Sequence, residues 1–438
     1  MLSVEEDDPA NYTDLRKKFF IFAHRGLACR SEPRYNSIMS KKEHSIPQVA
    51  VLIPLSLKGH RDSFEGILRY ARLHGPWRLY HMEGRPGEQR LLDLKRWGCT
   101  GIIAGPCSLD EARAISRVKV PVVVYEPSDE MRAPRHPLAN CPRLMFDSRA
   151  VGLYAAHYFL ERHYTRFAYV GETHGVYWSR ERYDGFKRAV EAAGASCAAY
   201  PEPNERERRD WAVEQPRMQA WLKALPKPVA LFAAMDGRAR QVLDACMAAD
   251  ITVPDEVAVL GVDDDPFICE ATFPPLSSIQ TNGQQAGFLL ARYLDGLMRH
   301  KRMPQKDFRV VPVRVVTRRS TDATAIQDKA VARALEFIWS EAADRTIQVP
   351  DVVRLLGGSR RFAEIHFKNV VGRTIMEEVR RVKLERVCAL LAETNLSIGE
   401  IAGQCGFTRE SHLAFLFRKR FNMTMSAYRA AARNTGLI

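Results

Sequence analysis

The sequence predicts two folded parts, a two-lobed α/β domain built on parallel sheets and an all-α domain that carries two helix-turn-helix motifs. From about Gln48, short apolar runs alternate with longer amphipathic ones, which is typical of βαβ units. This region is about 270 residues long, which is enough for two lobes. From Lys329 to the end, the apolar residues recur with the period of a helix. At 438 residues, the chain should hold two or three domains.

The strands of the first part are predicted from apolar runs. The run VAVLIPL is the first of them, and the others are WRLYHM, TGIIAG, VPVVVYE, RLMFD, RFAYVG, PVALFAA and VAVLGVDDD. Helices are predicted between them, for example over 151–162, 180–193 and 237–249. Strands that are apolar almost throughout are those buried on both faces, so the sheets are predicted to be parallel and covered by helices on both sides.

Polar residues that follow these strands are the candidates for ligand contact, because ligands of such sheets bind outside the carboxyl ends of the strands. Arg182, Asp236 and Asp263 converge best on one site. Carboxylates and guanidinium groups pair with vicinal hydroxyls, and the ring of Trp178 would cover the C–H face of a sugar. These residues predict a sugar site.

Some candidates also fit a purely structural role. Asp147 follows the run RLMF and could instead cap the helix from Ser148. Asp264 or Asp265 could cap the turn that follows, and Trp178 could belong to the core. These alternatives remain open on the sequence alone.

The loop PLSLKGHRDS after the first strand would face the ligand from the other lobe, with His60 and Arg61 as candidates. No metal is predicted at 263–265, because adjacent side chains diverge at the end of a strand. No cofactor is predicted either. The chain contains no G-x-S-x-G, P-loop or H-E-x-x-H motif, and no G-x-G-x-x-G after a strand, which argues against an enzyme.

The stretch LSIGEIAGQCGFTRESHLAFLFRKRFNMTMSAYR, residues 396–429, predicts a helix-turn-helix. Ser397 and Glu400 match a capping box, and Gly406 ends the first helix where a positive φ is cheap. The apolar positions of the two helices have helical spacing: Ile398, Ile401, Ala402 and Cys405, then Leu413, Leu416, Phe417 and Phe421.

The same pattern occurs fifty residues earlier. Val349, Val352, Val353 and Leu356 repeat the first spacing, and Gly357-Gly358 repeats the turn. Ala363, Phe367, Lys368 and Val371 then match Leu413, Phe417, Arg418 and Phe421. Between the repeats, TIMEEVRRVKLERVCALLAET predicts a helix of about 30 Å. One turn of DNA is about 34 Å, so such a helix can hold two recognition helices in successive major grooves.

The exposed positions of the second helices are the candidates for DNA contact. Residues near the start of a recognition helix meet base edges, and those further along meet phosphates. The predicted base contacts are Arg360, Arg361 and Glu364 in the first repeat, and Arg409, Glu410, Ser411 and Ala414 in the second. The predicted phosphate contacts are Lys368, Arg418, Lys419 and Arg420. With two arginines at its tip, the first repeat is expected to supply more of the specificity.

Charge and cysteine usage agree with this division. The chain has a net charge of +13, and from Lys329 onward 18 Lys and Arg stand against 11 Asp and Glu, which favours a polyanionic partner there. Nine scattered cysteines without a C-x-x-C motif suit a reducing cytoplasm. No apolar run is long enough to cross a membrane. Residues 1–45 are predicted to be a disordered tail, and Met39 is an alternative start.

The segment from about Ala330 to Asn434 resembles the DNA-binding domain of AraC/XylS-type transcription activators over its full length. The resemblance rests on the long linker helix, LSIGEIAGQCGF, the triplet 417–419 and the closing 427–429. Two residues depart from the family pattern, which usually has Pro in place of Met425 and a polar or basic residue in place of Phe415. The resemblance implies double-stranded operator DNA and RNA polymerase as partners.

Residues 47–318 resemble the LacI/GalR-type fold, which is periplasmic-binding-protein-like, with two lobes joined by three crossovers. The motifs are RYDGF, MDGRARQVLDACMAADITVPDEVAVLGVDDD and PLSSIQTNGQQAGFLLARYLDGL. An α/β sensor followed by an AraC-type pair of motifs is similar to the order in xylose-operon regulators. The resemblance implies a dimer with a sugar, such as xylose or another pentose, in the cleft.

The predicted domains are therefore a tail at 1–45, a ligand-binding domain at 46–319, a linker at 320–328 and an AraC-type DNA-binding domain at 329–438. The predicted function is a cytoplasmic transcription regulator, an activator, whose binding to DNA is controlled by a sugar. Two alternatives remain: an α/β enzyme that acts on a sugar, and a regulator whose ligand domain serves only for dimerisation.

Overall fold

The computed structural model describes residues 46–81, 88–172, 176–300, 303, 307–322, 326, 328–341, 347–394, 396–421 and 423–434. The predicted tail at 1–45 lies outside these residues. The chain divides into two compact units after Asp322, within the predicted linker 320–328. We call the first the α/β unit and the second the helical unit; the short segment Glu161–Tyr164 groups with the helical unit.

The α/β unit contains two six-stranded sheets, each forming one lobe. Its strands are β1 (Gln48–Leu52), β2 (Arg78–His81), β3 (Gly101–Ala104), β4 (Val122–Tyr125), β5 (Arg143–Phe146), β6 (Phe167–Val170), β7 (Cys197–Ala199), β8 (Val229–Ala233), β9 (Val257–Val262), β10 (Ser277–Gln280), β11 (Asp307–Val310) and β12 (Arg314–Val316). The first lobe has the order β11-β5-β4-β3-β1-β2 and the second β12-β10-β9-β8-β6-β7. All described pairs are parallel except β10 with β12.

Helices cover both sheets, as near-continuous apolar strands require. They are α1 (Lys58–His74), α2 (Glu88–Arg96), α3 (Leu109–Val118), α4 (Ser148–Leu160), α5 (Tyr177–Ala192), α6 (Glu205–Arg209), α7 (Trp211–Ala224), α8 (Asp236–Ala248), α9 (Pro266–Cys269) and α10 (Gly283–Met298). The chain passes between the lobes three times: from β5 to α4, from β10 to α10, and from β11 to β12. The predicted two-lobed α/β architecture is confirmed.

Close helix packing fixes the position of α5, the helix that carries Arg182. A Cβ added at Gly152 on α4 would lie 2.1 Å from the carbonyl oxygen of Arg182, and one at Gly185 would lie 2.2 Å from that of Arg149. Only glycine allows the two backbones to come this close. The sequence predicted this helix over 180–193, but it begins at Tyr177, so Trp178 lies in its first turn.

The helical unit contains seven helices among the described residues: α11 (Lys329–Glu341), α12 (Val349–Leu356), α13 (Arg360–Val371), α14 (Ile375–Glu393), α15 (Ile398–Gln404), α16 (Glu410–Phe421) and α17 (Met425–Asn434). They pack into two hydrophobic clusters. Ile375, Val379 and Val382 of α14 belong to the first cluster, and further along the same helix Val387 and Leu391 belong to the second. The all-α prediction is confirmed, with the long helix serving both cores.

Candidate functional site

Arg182 occupies the second lobe with part of its guanidinium group unsatisfied. The residue is 5% exposed, and its Nη1 donates a hydrogen bond to the carbonyl of Ala234, just after β8. Its Cζ lies 4.8 Å from the centroid of the Trp178 ring. Its buried Nε has no hydrogen-bond partner among the described residues. A buried donor without a partner is costly, so a ligand hydroxyl bound here would remove an unfavourable term.

The turn after β9 has a strained backbone, and contacts with Ser278 and Arg318 hold it in place. Asp263 and Asp264 both have a positive φ, of 104° and 54°, which non-glycine residues rarely adopt. The amide of Asp264 donates to Ser278 Oγ at 2.9 Å, and its carboxylate pairs with Arg318 at 2.8 Å. Backbone strain held by such contacts is typical of pre-organised ligand sites.

Asp236 supports this turn from the interior. The residue is 2% exposed; its Oδ1 accepts from Ser278 Oγ at 2.6 Å, and its Oδ2 accepts from the amide of Asp265 at 2.8 Å. Burial, with the nearby charge of Asp263 added, raises the pKa of Asp236 to about 8. Both oxygens are therefore engaged by the protein, and the observed role of this carboxyl group is to hold the turn.

Polar contacts join the two lobes around the cleft. Arg61 of the first lobe pairs with Asp265 of the second at 2.8 Å. Two further ion pairs link the first lobe to α5: Asp129 with Arg180 at 3.0 Å, and Arg309 with Glu181 at 3.2 Å. Three side-chain ion pairs thus connect the two lobes around the cleft.

Glu126 makes another contact across the cleft. It follows β4 with a φ of 45°, its Oε1 accepts from the amide of Phe146, and its Oε2 accepts from the hydroxyl of Tyr177 at 3.1 Å. Burial raises the pKa of Glu126 to about 7; the two hydrogen bonds and the charge of Arg182 oppose the shift, and Asp263 adds to it. The carboxyl group can therefore change its charge near neutral pH.

The remaining sequence candidates of this unit have local partners. Asp147 accepts from the amide of Ala150 at 3.0 Å, as a cap of α4 does, which is the structural alternative that the sequence left open. Asp265 caps α9 through the amide of Phe267 at 3.1 Å. His60 bonds to the carbonyl of Pro54 at 2.8 Å, and burial lowers its pKa. Ligand contact by Asp147, His60 or Arg61 remains a prediction.

A cavity of about 240 Å³ lies elsewhere in the second lobe. Its lining includes Trp211 of α7 and the buried pair Glu214–Arg238, whose charged atoms are 2.8 Å apart. None of the predicted ligand residues lines it. Its volume is below the usual range of small-molecule sites, about 300–1,000 Å³, so the strand-end cluster is the better candidate for the ligand site.

The first helix-turn-helix motif consists of α12 and α13. Gly357 and Gly358 between them have φ values of 72° and 75°. The Ser359 side chain then accepts from the amide of Phe362 at 3.3 Å and caps α13. Ala363 and Phe367 are fully buried. The turn and the buried face predicted from the repeat are both present.

The second motif, α15 and α16, has the same construction. Ser397 and Glu400 form the predicted capping box, and Gly406 has a φ of 66°. Leu413 and Phe417 are fully buried. Lys383 of α14 is 7% exposed and donates to the carbonyl of Gly406 at 3.2 Å, which satisfies an acceptor at the end of α15. The long helix therefore also fixes the turn of the second motif.

The predicted DNA contacts lie on the outer faces of α13 and α16, except Arg409, which directly precedes α16. All of them are exposed except Glu364, which is half-buried: Arg360, Arg361, Lys368, Arg409, Glu410, Ser411, Ala414, Arg418, Lys419 and Arg420. Arg360 Nε donates to Glu364 Oε1 at 2.9 Å, so these two predicted base contacts bind each other in the free protein. Their roles toward DNA remain predictions.

Comparison with known proteins gives matches in both units. A periplasmic binding protein-like domain matches residues 156–321, and a helix-turn-helix domain matches residues 352–431. A solved structure of the xylose-binding transcription activator xylR is 28% identical, covers 89% of this chain and 99% of its own, and superposes with a TM-score of 0.56.

The match to one relative extends across the boundary between the units. The xylose operon regulatory protein of Escherichia coli strain K12 is 30% identical over 397 residues, which are 89% of this chain and 98% of that protein. The chain belongs to the xylose operon regulatory proteins. The relative from Haemophilus influenzae is 31% identical over 291 residues, 66% of this chain and 74% of its own length. The chain is thus a sugar-responsive, DNA-binding transcription regulator.

Membership in this family leaves the site residues to be judged from their geometry. The structure places Arg182 against the ring of Trp178 in the second lobe, and the Asp263 turn, held by Asp236, belongs to the same lobe. Sequence reasoning missed Glu126, because it counted this residue as the last of the predicted strand VPVVVYE. The strand ends at Tyr125, so the strand-end rule would have selected Glu126.

Metal sites and membrane-spanning helices are both absent from the described residues. No group of His, Cys, Asp and Glu side chains in the described part of the chain is arranged to hold a metal ion. Within the same residues, no helix combines the length and the apolar character that crossing a membrane requires.

Proposed function

We propose that the effector is a pentose, with D-xylose as the first candidate, and that the chain activates transcription when the sugar is bound. The observation that carries this proposal is the similarity to the Escherichia coli xylose operon regulatory protein, because it extends over both the sensor and the DNA-binding unit. The xylose-binding activator xylR adds support from a solved structure.

In the proposed complex, Arg182 donates to ligand hydroxyls through its free Nε, and the Trp178 ring covers the C–H face of the sugar. Asp263, at the tip of the strained turn, accepts from a hydroxyl on the other side. Asp236 acts indirectly by fixing this turn. Arg61 and Glu126 close the first lobe over the ligand through Asp265 and Tyr177.

On the output side, α13 and α16 enter the major groove of operator DNA. The residues at their N-terminal ends read bases, and the basic residues further along bind phosphates. Arginine reads guanine through two hydrogen bonds, which favours Arg361 as a base contact because Arg360 already pairs with Glu364.

The proposal extends to the assembly and its setting. The protein acts in the cytoplasm as a homodimer and contacts RNA polymerase when it activates. The basic C-terminal quarter, the absence of a C-x-x-C motif and the names of the relatives support this setting. Sedimentation velocity of the full-length chain, with and without sugar, measures the oligomeric state directly.

Calorimetry tests the effector. The full-length protein is titrated with D-xylose, L-arabinose, D-ribose and D-glucose, and the titrations are repeated with a DNA duplex selected from a randomised library. D-xylose should bind most tightly, and its affinity should change when the duplex is present, because linkage is reciprocal.

Each other result removes one part of the proposal. If none of the four sugars binds, the proposed pentose effector is wrong. If NMR shows that the sugar is converted to a product, the chain acts as an enzyme. If another sugar binds more tightly than D-xylose, the family assignment holds but the effector is wrong.

A further inference from the structure

Two large apolar side chains stand on the outer faces of the recognition helices. Ile365 of α13 is 51% exposed, and Phe415 of α16 is 64% exposed. They occupy the same position in the two motifs, since each lies two residues after the buried Ala363 or Leu413, and the motifs are offset by fifty residues. An exposed apolar side chain therefore occupies the same outward-facing position in both motifs.

Helix geometry shows that these two side chains do not pack in the hydrophobic core. At about 100° per residue, a position two residues from a buried one lies on the opposite face of the helix. Ile365 lies between the fully buried Ala363 and Phe367, and Phe415 lies between the fully buried Leu413 and Phe417. Single exposed apolar residues are common, but a matched pair on the two helices that face DNA is a feature of the binding surface.

The surroundings of both side chains fit a polyanion. Arg361 and Lys368 lie four residues before and three after Ile365, on the same face of α13. Ser411 and Arg418 flank Phe415 in the same way on α16. An apolar group between residues predicted to contact bases and phosphates should meet an apolar group in the major groove, and the groove offers only one, the 5-methyl group of thymine.

We propose that Ile365 and Phe415 each read thymine through its 5-methyl group, so that apolar contact is the element of base recognition shared by the two motifs. The proposal rests on docking of both recognition helices in the major groove and adds the base that each one reads. Phe362, also exposed on α13, is not part of this pair. Its ring stacks on His366 with centroids 5.6 Å apart, and its counterpart in the second motif is His412.

The test replaces thymine by deoxyuracil, which keeps base pairing and O4 but lacks the methyl group. A duplex is first selected from a randomised library with the full-length protein. Each thymine is then replaced singly, and affinities are measured by fluorescence anisotropy at one salt concentration. We expect two groups of sensitive positions about one helical turn apart, with about a fourfold loss of affinity for each contacted methyl group.

Variants assign each group of positions to a residue. Ile365→Ser should abolish the effect of deoxyuracil at one group and leave the other intact, and Phe415→Ser should do the converse. The matched control is Leu355→Ser, because Leu355 is 40% exposed but lies on α12, the first helix of its motif. Circular dichroism and thermal melting establish that all three variants are folded, as expected for exposed positions.

The outcomes separate this proposal from DNA binding itself. If the wild-type protein selects a duplex but binds its deoxyuracil forms equally well, thymine reading is overturned while DNA binding stands. If both variants keep the full wild-type pattern, other residues read the methyl groups and the proposal fails. If the variants bind DNA like wild type but lose activation in transcription assays, the two side chains contact a protein instead.

Discussion

The guanidinium group of Arg182 is fixed by the ring of Trp178 and the carbonyl of Ala234, with one buried donor left over. We expect Arg182→Ala to lower pentose affinity by about 10- to 150-fold, since a hydrogen bond to a charged group contributes about 1.5–3 kcal/mol. DNA affinity without sugar should stay close to wild type.

Calorimetry of the variant and anisotropy with the selected duplex measure both quantities. Arg188→Ala is the matched control, because Arg188 is exposed on the same helix. A variant at Arg182 that binds D-xylose as tightly as wild type would show that the ligand lies elsewhere.

Glu126 should make the stability of the α/β unit depend on pH near neutrality. Its pKa is raised from the usual 4.5 to about 7, chiefly by burial. The folded protein therefore holds this proton more tightly than the unfolded chain. The resulting contribution to stability is fully present below about pH 4.5 and is lost as the pH rises through 7.

Glu126→Gln removes this titration, because the amide resembles the protonated carboxyl group. The melting temperature of the variant minus that of wild type should be smallest near pH 4, rise up to about pH 7 and then level off. Differential scanning calorimetry at half-unit steps of pH measures the difference. Glu270→Gln, at an exposed position, is the matched control, and a flat result for Glu126→Gln would contradict the assignment.

The turn between α12 and α13 depends on glycine. Gly357 has a φ of 72° and a ψ of 172°, and a Cβ added there meets no atom within 4 Å. Gly357→Ala should therefore destabilise the helical unit by about 1–3 kcal/mol through backbone strain alone.

Gly403 supplies the contrast. It is exposed within α15, its added Cβ also meets nothing within 4 Å, and its φ is helical. Gly403→Ala should stabilise the unit by up to about 1 kcal/mol. Urea denaturation followed by circular dichroism compares the two variants. Equal effects would mean that the turn imposes no strain.

Substitution by alanine should affect DNA binding differently at the two ends of a recognition helix. Arg361→Ala, near the start of α13, should relax base preference at one or two positions and leave the dependence on salt near wild type. Lys419→Ala, late in α16, should weaken binding to all sequences and reduce the salt slope by about one. Binding to a randomised library at several salt concentrations decides between them. If Arg361→Ala lowers affinity uniformly, that residue only positions the helix.

Local patterns predicted the elements more fully than the contacts between them. The capping box of Ser397 and Glu400 spans three residues, so the sequence alone identified it. The bond from Tyr177 to Glu126 joins residues 51 apart, and that from Ser278 to Asp236 joins residues 42 apart. Periodicity carries no information about such pairs. The site residues were therefore chosen by type and strand position, while the partners that define their roles required the fold.

For the whole molecule, separate cores predict separate unfolding. Three hydrophobic clusters of described residues lie wholly within the α/β unit, and two others lie wholly within the helical unit. We expect two calorimetric transitions. D-xylose at a hundred times its Kd should stabilise the α/β unit by about 2.7 kcal/mol and raise the midpoint of that transition. A single transition that shifts as a whole would show one cooperative unit.

The long helix α14 has a consequence for how this protein can evolve. Val382 belongs to one core, and Leu384, two residues later, belongs to the other. One residue inserted between them would turn the following half of the helix by about 100° and remove one set of side chains from its core. Substitutions leave the rotation of one half of the helix relative to the other unchanged, whereas insertions and deletions alter it. The sequences of the regulator and of its operators can therefore change by substitution. The spacing between the two motifs, and between the two DNA segments that they bind, stays fixed.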